Sequence, residues 1–404
     1  MVKIRQKPED FRVIELGGPE PDTGDTWASH EHRLYRLEKK SHDSLSLLAH
    51  LSRSLSVPRR SFGLAGLKDR HAVTSQLVTI PSSVQQSKLP EKKGESIGDL
   101  SEGLIESGWR LTLLGGVESK LRSGHHSGNR FQIVVRDLTH EQVQGLGRRL
   151  SQAQEFGWPN WFDSQRFGSA VKGRLPGSHI VKGEFEEAMR IHLSERNKSD
   201  RSDKRRDKRK FTEAWPEIGR VQVEHKPFFR QVKAFRKASQ EGLAGEDLWR
   251  EVYLSIPFDI RGIWLSAWQA AEWNHLLVKL LTEIFDKSQL YSVDIGVGGP
   301  LLYPESPAGK RGGAKRAIIE QLTIGMKSLP EQIKMPHSEL DLSSIDQYLS
   351  SNMRPTWVEP TIEASVPEPD DLNGSPKHKR WKVNLSFDLP SGAYATVLVK
   401  RLFH

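Results

Sequence analysis

One aspartate in this chain stands where a reactive carboxylate would. In the run from Gly63 to Gln76, GLAGLKDRHAVTSQ, Asp69 lies between Lys68 and Arg70, and cations so close favour the ionised form of the acid. Gly63 and Gly66 relax the backbone ahead of it and allow a substrate to approach closely. An ionised acid in such a turn serves as a nucleophile or general base. The same residue types also make a turn cap or a surface ion pair. Other reactive constellations fail on spacing. His30 and His32, and His125 and His126, lack further ligands at metal-site spacing, so no metal centre is expected. Gly296 to Gly299 and Gly309 to Gly313 do not complete a phosphate loop and read as turns. No G-x-S-x-G elbow is present, and a chain without cysteine offers no thiolate nucleophile, disulfide or cysteine-bound zinc.

Alternating α and β elements surround the turn. Lys3 to Glu15 and His32 to Lys39 read as strands separated by the Gly/Pro/Asp-rich loop Gly17 to Thr26. Leu47, Leu48, Leu51 and Leu55 recur at helical spacing from Asp43 to Leu55, and Pro58 closes that helix. A strand is expected at Leu77 to Ile80, then a polar loop from Pro81 to Asp99. Phe131, Ile133 and Val135 share one face of a further strand, and a capping box, Thr139 to Gln142, opens a helix striped by Val143, Leu146 and Leu150. Arg261 to Phe285 is the longest periodic segment, a core-packing helix with Asn274 as a possible exception. Residues Ala364 to Lys379 read as a connector before an alternating strand containing Trp381, Val383, Leu385 and Phe387.

The chain has 404 residues and a net charge of +9, enough length for two domains and enough positive charge to attract a polyanion. Ser194 to Lys210, SERNKSDRSDKRRDKRK, has no apolar periodicity and is expected to be a solvated or disordered segment, open to RNA phosphates. No apolar run approaches a membrane span, and MVKIRQKPEDF lacks a signal peptide's apolar stretch, so the expected location is cytoplasmic with no membrane partner.

The turn, with Gly66, Lys68, Asp69, Ala72, Thr74 and Gln76, resembles the signature motif of the TruD family of pseudouridine synthases. Four further blocks follow in family order. KPEDFRVIE (Lys7 to Glu15) resembles the family's opening PEDF strand, and KLRSGHHSGNRF (Lys120 to Phe131) its glycine-asparagine-x-phenylalanine step. NWFDSQRFG (Asn160 to Gly168) and LPSGAYATVLVKRLF (Leu389 to Phe403) resemble later elements. WLSAWQAAEWN, in the long helix, is similar to the family's aromatic-helix motif. The likeness frames the whole chain and is weakest over residues 169–255.

The resemblance implies an α/β (α+β) fold: a pseudouridine-synthase catalytic domain with a mixed, largely antiparallel sheet, over residues 1–165 and 361–404, interrupted by an inserted mixed α/β TRUD domain over 166–360. A cleft between them is expected to hold folded RNA. The implied activity is conversion of uridine to pseudouridine in tRNA, at position 13, on a flipped-out base. The rearrangement breaks the bond from C1′ to N1, turns the base and rejoins it through C5. One carboxylate, an aromatic wall and phosphate-gripping cations suffice, so no cofactor is expected. By resemblance Asp69 is catalytic, Phe131 stacks on the base, Asn129 orders the catalytic loop, and Lys68 supports it. Arg5 stands where the family has lysine, with Lys7 near enough to compete for the role of partner cation. Lys7, Arg70, Arg122 and Arg166 are the expected RNA contacts, and Asp163 departs from the family's usual glycine. A monomer is expected. The alternatives are a non-catalytic RNA-binding protein of the same fold, or a synthase acting on other RNAs.

Overall fold

The computed structural model describes residues 2–84, 108–122, 124–197, 200–305, 312–338, 349 and 352–403. The chain divides into two compact units: Met1–Gly157 with Val358–His404, and Trp158–Trp357. Among the described residues, no helix is long and apolar enough to cross a membrane.

The first unit is built on a nine-stranded sheet. Its strands are β1 (Phe11–Leu16), β2 (His32–Lys40), β3 (Gly63–Leu64), β4 (Val73–Pro81), β5 (Trp109–Val117), β6 (Gly128–Leu138), β7 (Ile362–Ala364), β8 (Glu368–Pro369) and β9 (Trp381–Pro390). The order across the sheet is β7, β9, β6, β1, β4, β2, β5, with β3 paired to β4 and β8 to β9. β1 runs parallel to β4, while the other pairs are antiparallel, giving the mixed, largely antiparallel sheet that the sequence suggests.

Alternation decides which face each strand buries. Phe11 and Val13 in β1, Phe131, Ile133 and Val135 in β6, and Val383, Leu385, Phe387 and Leu389 in β9 are buried, with more polar residues between them. Helix α1 (Ser44–Leu55) starts at Asp43, whose carboxylate accepts the Ser46 N–H at 2.8 Å, a normal N-cap. Its stripe Leu47, Leu48, Leu51 and Leu55 packs with Tyr35, Leu37, Val78, Ile80 and Leu111 of the sheet. Each such side chain, fully buried, contributes roughly 1.5–3 kcal/mol. The capping box at Thr139 and Gln142 forms as expected and opens α2 (His140–Gln144), followed by α3 (Leu146–Phe156). After β9 the LPSGAYAT segment turns into α4 (Ala395–Phe403), whose Val397, Leu398 and Leu402 are buried.

Two elements of this unit differ from expectation. The strand expected over Lys3 to Glu15 starts only at Phe11, because Pro8 opens a short 3-10 turn, Pro8–Asp10. That turn is anchored by Arg136, whose guanidinium binds Asp10, Asp370 and Asp371. The connector from Ala364 to Lys379 thus carries a buried acid, Asp370, and a short strand, β8, rather than only loop. The expected polar loop from Pro81 to Asp99 lies, beyond Val84, outside the described residues.

The second unit is mainly helical. Helices Phe185–Ser194, Phe229–Gln240, Gly245–Leu254 and Phe258–Ile284 enclose a core that includes Met189, Phe211, Phe228, Trp249, Tyr253 and Trp264. Short antiparallel ladders pair Leu290–Val293 with Leu301–Pro304 and Gln332–Lys334 with Met353–Pro355. Contrary to the reading of residues 194–210 as disordered or solvated, Ser202–Ala214 is a helix. Its Asp207, Lys208 and Phe211 are buried, because the run's own Asp200 pairs with Lys208 and backbone groups beyond the run satisfy Asp207. Asp200 pairs with Lys208 at 3.0 Å, and Asp207 accepts the Glu224 and His225 N–H groups at 2.8 and 2.7 Å. Gly296 to Gly299 does turn, whereas Gly312 and Gly313 open the helix Gly312–Lys327; residues 309–311 lie outside the described residues.

Candidate active site

Asp69 sits in the turn between β3 and β4 with its side chain 47% exposed. Its Oδ2 accepts a hydrogen bond from Arg5 Nη2 at 2.9 Å, so the cation substituting for the family's lysine reaches the carboxylate. Lys7, the competitor in sequence, faces Asp371 at 3.7 Å instead. The Arg5 guanidinium lies 4.0 Å from the centre of the Phe11 ring, an attraction that aims it. Phe11 meets Phe131 edge-on at 6.0 Å, and Phe131 stacks on Phe387 at 5.5 Å. The sheet therefore sets Asp69, Arg5 and Phe131 in one connected cluster, with Phe131 forming part of an aromatic wall and only 8% exposed.

Lys68 does not flank Asp69 as its position in sequence suggests. Its ammonium turns inward to Glu15 Oε2 at 2.7 Å, and both side chains are almost wholly buried. Glu15 Oε1 also accepts the Leu77 N–H at 3.1 Å, so a single acid ties the turn to the middle of β4. Asp69 and Arg70 are left toward solvent, while Lys68 serves as the inward peg.

Lys39, at the end of β2, was not among the residues the sequence singled out. It is 2% exposed, and its Nζ donates to the backbone oxygens of Asp69 at 2.8 Å and Lys68 at 3.4 Å. Burial pushes its pKa down to about 8, against the attraction of Asp69 and Asp43. Ser44 Oγ and Gln76 complete the backing: the hydroxyl donates to Gln76 Oε1 at 3.2 Å, and Gln76 Nε2 to the Gly66 carbonyl at 3.2 Å. Glu15 and Lys39 each carry a signal in the sequence. Both fall on the buried parity of their strands, with Phe11 and Val13 or with Tyr35 and Leu37, where an ionisable side chain requires a partner.

Glycine is required at two places. A Cβ on Gly63 would lie 2.2 Å from Thr79 Oγ1, and one on Gly128 2.3 Å from the Leu389 carbonyl. Asn129, next to Gly128, pairs with Glu15 and Leu389 across the sheet, and its buried Oδ1 has no hydrogen-bond partner among the described residues. Arg122 is exposed; its backbone N–H meets His125 Nδ1 at 3.4 Å. His126 approaches Ser391 Oγ at 3.2 Å, and burial, aided by Lys68, pushes its pKa down. His30 instead binds Asp22 and Glu118, and its hydrogen bond to Asp22 pushes its pKa up.

Arg166 belongs to the second unit, exposed on the 3-10 turn Ser164–Phe167 and 5.7 Å from the centre of the Phe162 ring. Asp163, the departure from the family pattern, caps that turn by accepting the Ser164 N–H. Asn274 proves to be a staple: its amide accepts the Phe162 N–H at 2.9 Å and donates to the Phe162 and Gly298 carbonyls.

A model of the tRNA pseudouridine synthase D (TruD) family matches residues 1–297. A protein of Methanococcus maripaludis, provisionally named tRNA pseudouridine synthase D 1, is 28% identical over 424 residues, covering 100% of both chains. The tRNA pseudouridine synthase D of Aquifex aeolicus is 25% identical over 425 residues, covering 100% of this chain and 98% of its own. In fold, the chain is similar to the crystal structure of a provisionally assigned TruD from Methanosarcina mazei, with a TM-score of 0.60 at 19% identity, over 99% of this chain and 93% of that one. The chain belongs to the TruD family. It is thereby a pseudouridine synthase, an isomerase.

Proposed function

We propose that this enzyme converts uridine 13 of tRNA to pseudouridine, with Asp69 as the reacting group and the target base turned out of its stack. The observation that carries the reading is the Asp69 carboxylate itself: half exposed, gripped by Arg5, and seated on a turn whose carbonyls Lys39 holds from below. Its relatives' names supply tRNA as the RNA class, and the net charge of +9 suits a polyanion. In this reading the first unit is the catalytic domain and the second, given in sequence as residues 166–360, is the insert.

The C1′–N1 electron pair leaves with the uracil as an anion while the Asp69 carboxylate meets the developing charge at C1′; the ring turns, C5 bonds to C1′ as that contact is released, and the proton lost from C5 is matched by one that N1 gains through solvent. Arg5 holds the carboxylate in place through a charge-assisted hydrogen bond. Phe131, backed by Phe11 and Phe387, is the ring of this cluster offered to the turning base. Asn129 has an acceptor to offer, and Arg70, Arg122, Arg166 and Lys7 are exposed cations for phosphates.

Incubation with an unmodified tRNA transcript, followed by mapping of pseudouridine at single-nucleotide resolution, tests this directly. One modified uridine, at position 13, is expected. Product only at other positions would refute the site assignment, and none on any transcript would refute the activity.

A further inference from the structure

Within the second unit lies a cavity of about 840 Å³ that catalysis at Asp69 does not use. Its size falls within the roughly 300–1,000 Å³ of small-ligand sites. Four elements build it: the helices Phe185–Ser194, Ser202–Ala214 and Phe229–Gln240, and the start of Phe258–Ile284. Lys204, Lys208, Lys226 and Arg230 line it against a single carboxylate, Asp200. Asp200 is already matched by Lys204 at 2.8 Å and Lys208 at 3.0 Å. Lys226 and Arg230 are exposed and have no carboxylate partner among the described residues, so their charge is available to an anion.

The rest of the lining is not that of a simple anion site. Ile260 and Ile263 stand at the mouth with exposures of 39% and 50%, unusual for isoleucine. Further in, the His192 ring lies 4.9 Å from that of Trp264, and burial holds its pKa down to about 3, so the imidazole stays neutral. Gln231 is 2% exposed, yet its Oε1 has no hydrogen-bond partner among the described residues. A buried acceptor left unmade is costly in the empty site and favours a ligand that brings an N–H.

We propose that this cavity receives one unstacked nucleotide of the RNA substrate, its base against Ile260 and Ile263 with an N–H donated to Gln231, and its phosphate at Lys226 and Arg230. The combination of an apolar mouth, one buried acceptor and adjacent unmatched cations fits a base joined to a phosphate. Inorganic anions would leave the isoleucines and Gln231 unused, and an apolar ligand would leave the cations unused. RNA is read in single-stranded form in this manner, by packing on base faces and hydrogen bonds to base edges. The inference rests on RNA being the substrate and extends it to a second holding point, away from the reacting uridine.

The test measures Kd for an unmodified tRNA transcript against salt concentration, beside pseudouridine formation by the wild type. The double variant Lys226→Ala with Arg230→Ala should bind about tenfold more weakly at physiological salt, with the slope of log K against log salt smaller by roughly 0.7–0.9 for the one phosphate released. Gln231→Leu should weaken binding by roughly three- to tenfold with an unchanged salt slope and an undiminished melting temperature, because an apolar isostere relieves an unsatisfied amide. A merely structural glutamine would show the reverse, a lower melting temperature with unaltered affinity, and that result would overturn the proposal. Wild-type affinity and slope in the double variant would overturn it as well. If the wild type forms no pseudouridine while the variants still lose affinity as stated, the cavity assignment stands and the catalytic reading fails.

Discussion

The turn around Asp69 and the helix Ser202–Ala214 are both dense in charge, and each buries an ion pair. In the turn, Lys68 leaves Asp69 for the buried Glu15, and the cation that Asp69 receives comes from Arg5, sixty-four positions away. In the helix, Lys208 turns to Asp200 and Asp207 to the backbone of Glu224 and His225. The two regions then diverge. The helix satisfies its buried charges and makes a structural element, whereas the turn satisfies Lys68 and Lys39 in such a way that one carboxylate remains at the surface.

Variants at the buried acids sharpen that difference. Glu15→Gln leaves the Lys68 ammonium unpaired in the interior and should cost about 3–5 kcal/mol of stability in urea denaturation. Because the turn loses its peg, turnover per folded molecule should fall too, by up to roughly 10²-fold. Asp207→Ala strips the helix of an acceptor for two backbone N–H groups and should cost about 1–3 kcal/mol. Here turnover per folded molecule should stay at the wild-type level. Equal effects of the two variants on turnover would erase the contrast.

A smaller effect distinguishes Lys39. Its pKa is lowered from the usual 10.5 to about 8 by burial, so between these values the unfolded chain holds the extra proton and this group's contribution to stability rises with pH. Turnover should do the opposite, falling about tenfold per pH unit above roughly pH 8 as the ammonium beneath the Asp69 and Lys68 carbonyls loses its charge. Kinetics and melting temperatures measured together from about pH 7 to 9.5 separate these trends. An alkaline fall that persists in Lys39→Met would assign it to another group.

Much of the fold is legible because its signals are local. The leucine stripe of α1 with its Asp43 cap, the capping box at Thr139 and Gln142, and the alternation through Phe131, Ile133 and Val135 each declare an element within a dozen residues. What the motifs made legible is which side chains meet: Arg5 with Asp69, and Phe131 with Phe11 and Phe387. The site was opaque where the partner is remote. Nothing near Lys39 says that its ammonium will sit beneath the turn, and SERNKSDRSDKRRDKRK holds the acid Asp200 that Lys208 buries against but not the Glu224 and His225 N–H groups that Asp207 accepts. Pro8 shows the converse error: a run with strand-like alternation is interrupted because proline cannot donate to a ladder.

The central claim is that the Asp69 carboxylate does the chemistry, and single-turnover assay of Asp69→Asn on an unmodified tRNA transcript tests it most directly. The variant keeps the shape of the side chain and should bind the transcript at close to wild-type affinity while pseudouridine formation falls by at least roughly 10²–10⁴-fold. Product formed at a rate within about tenfold of the wild type would contradict the account, since general acid–base or nucleophilic catalysis by one carboxylate contributes far more than that.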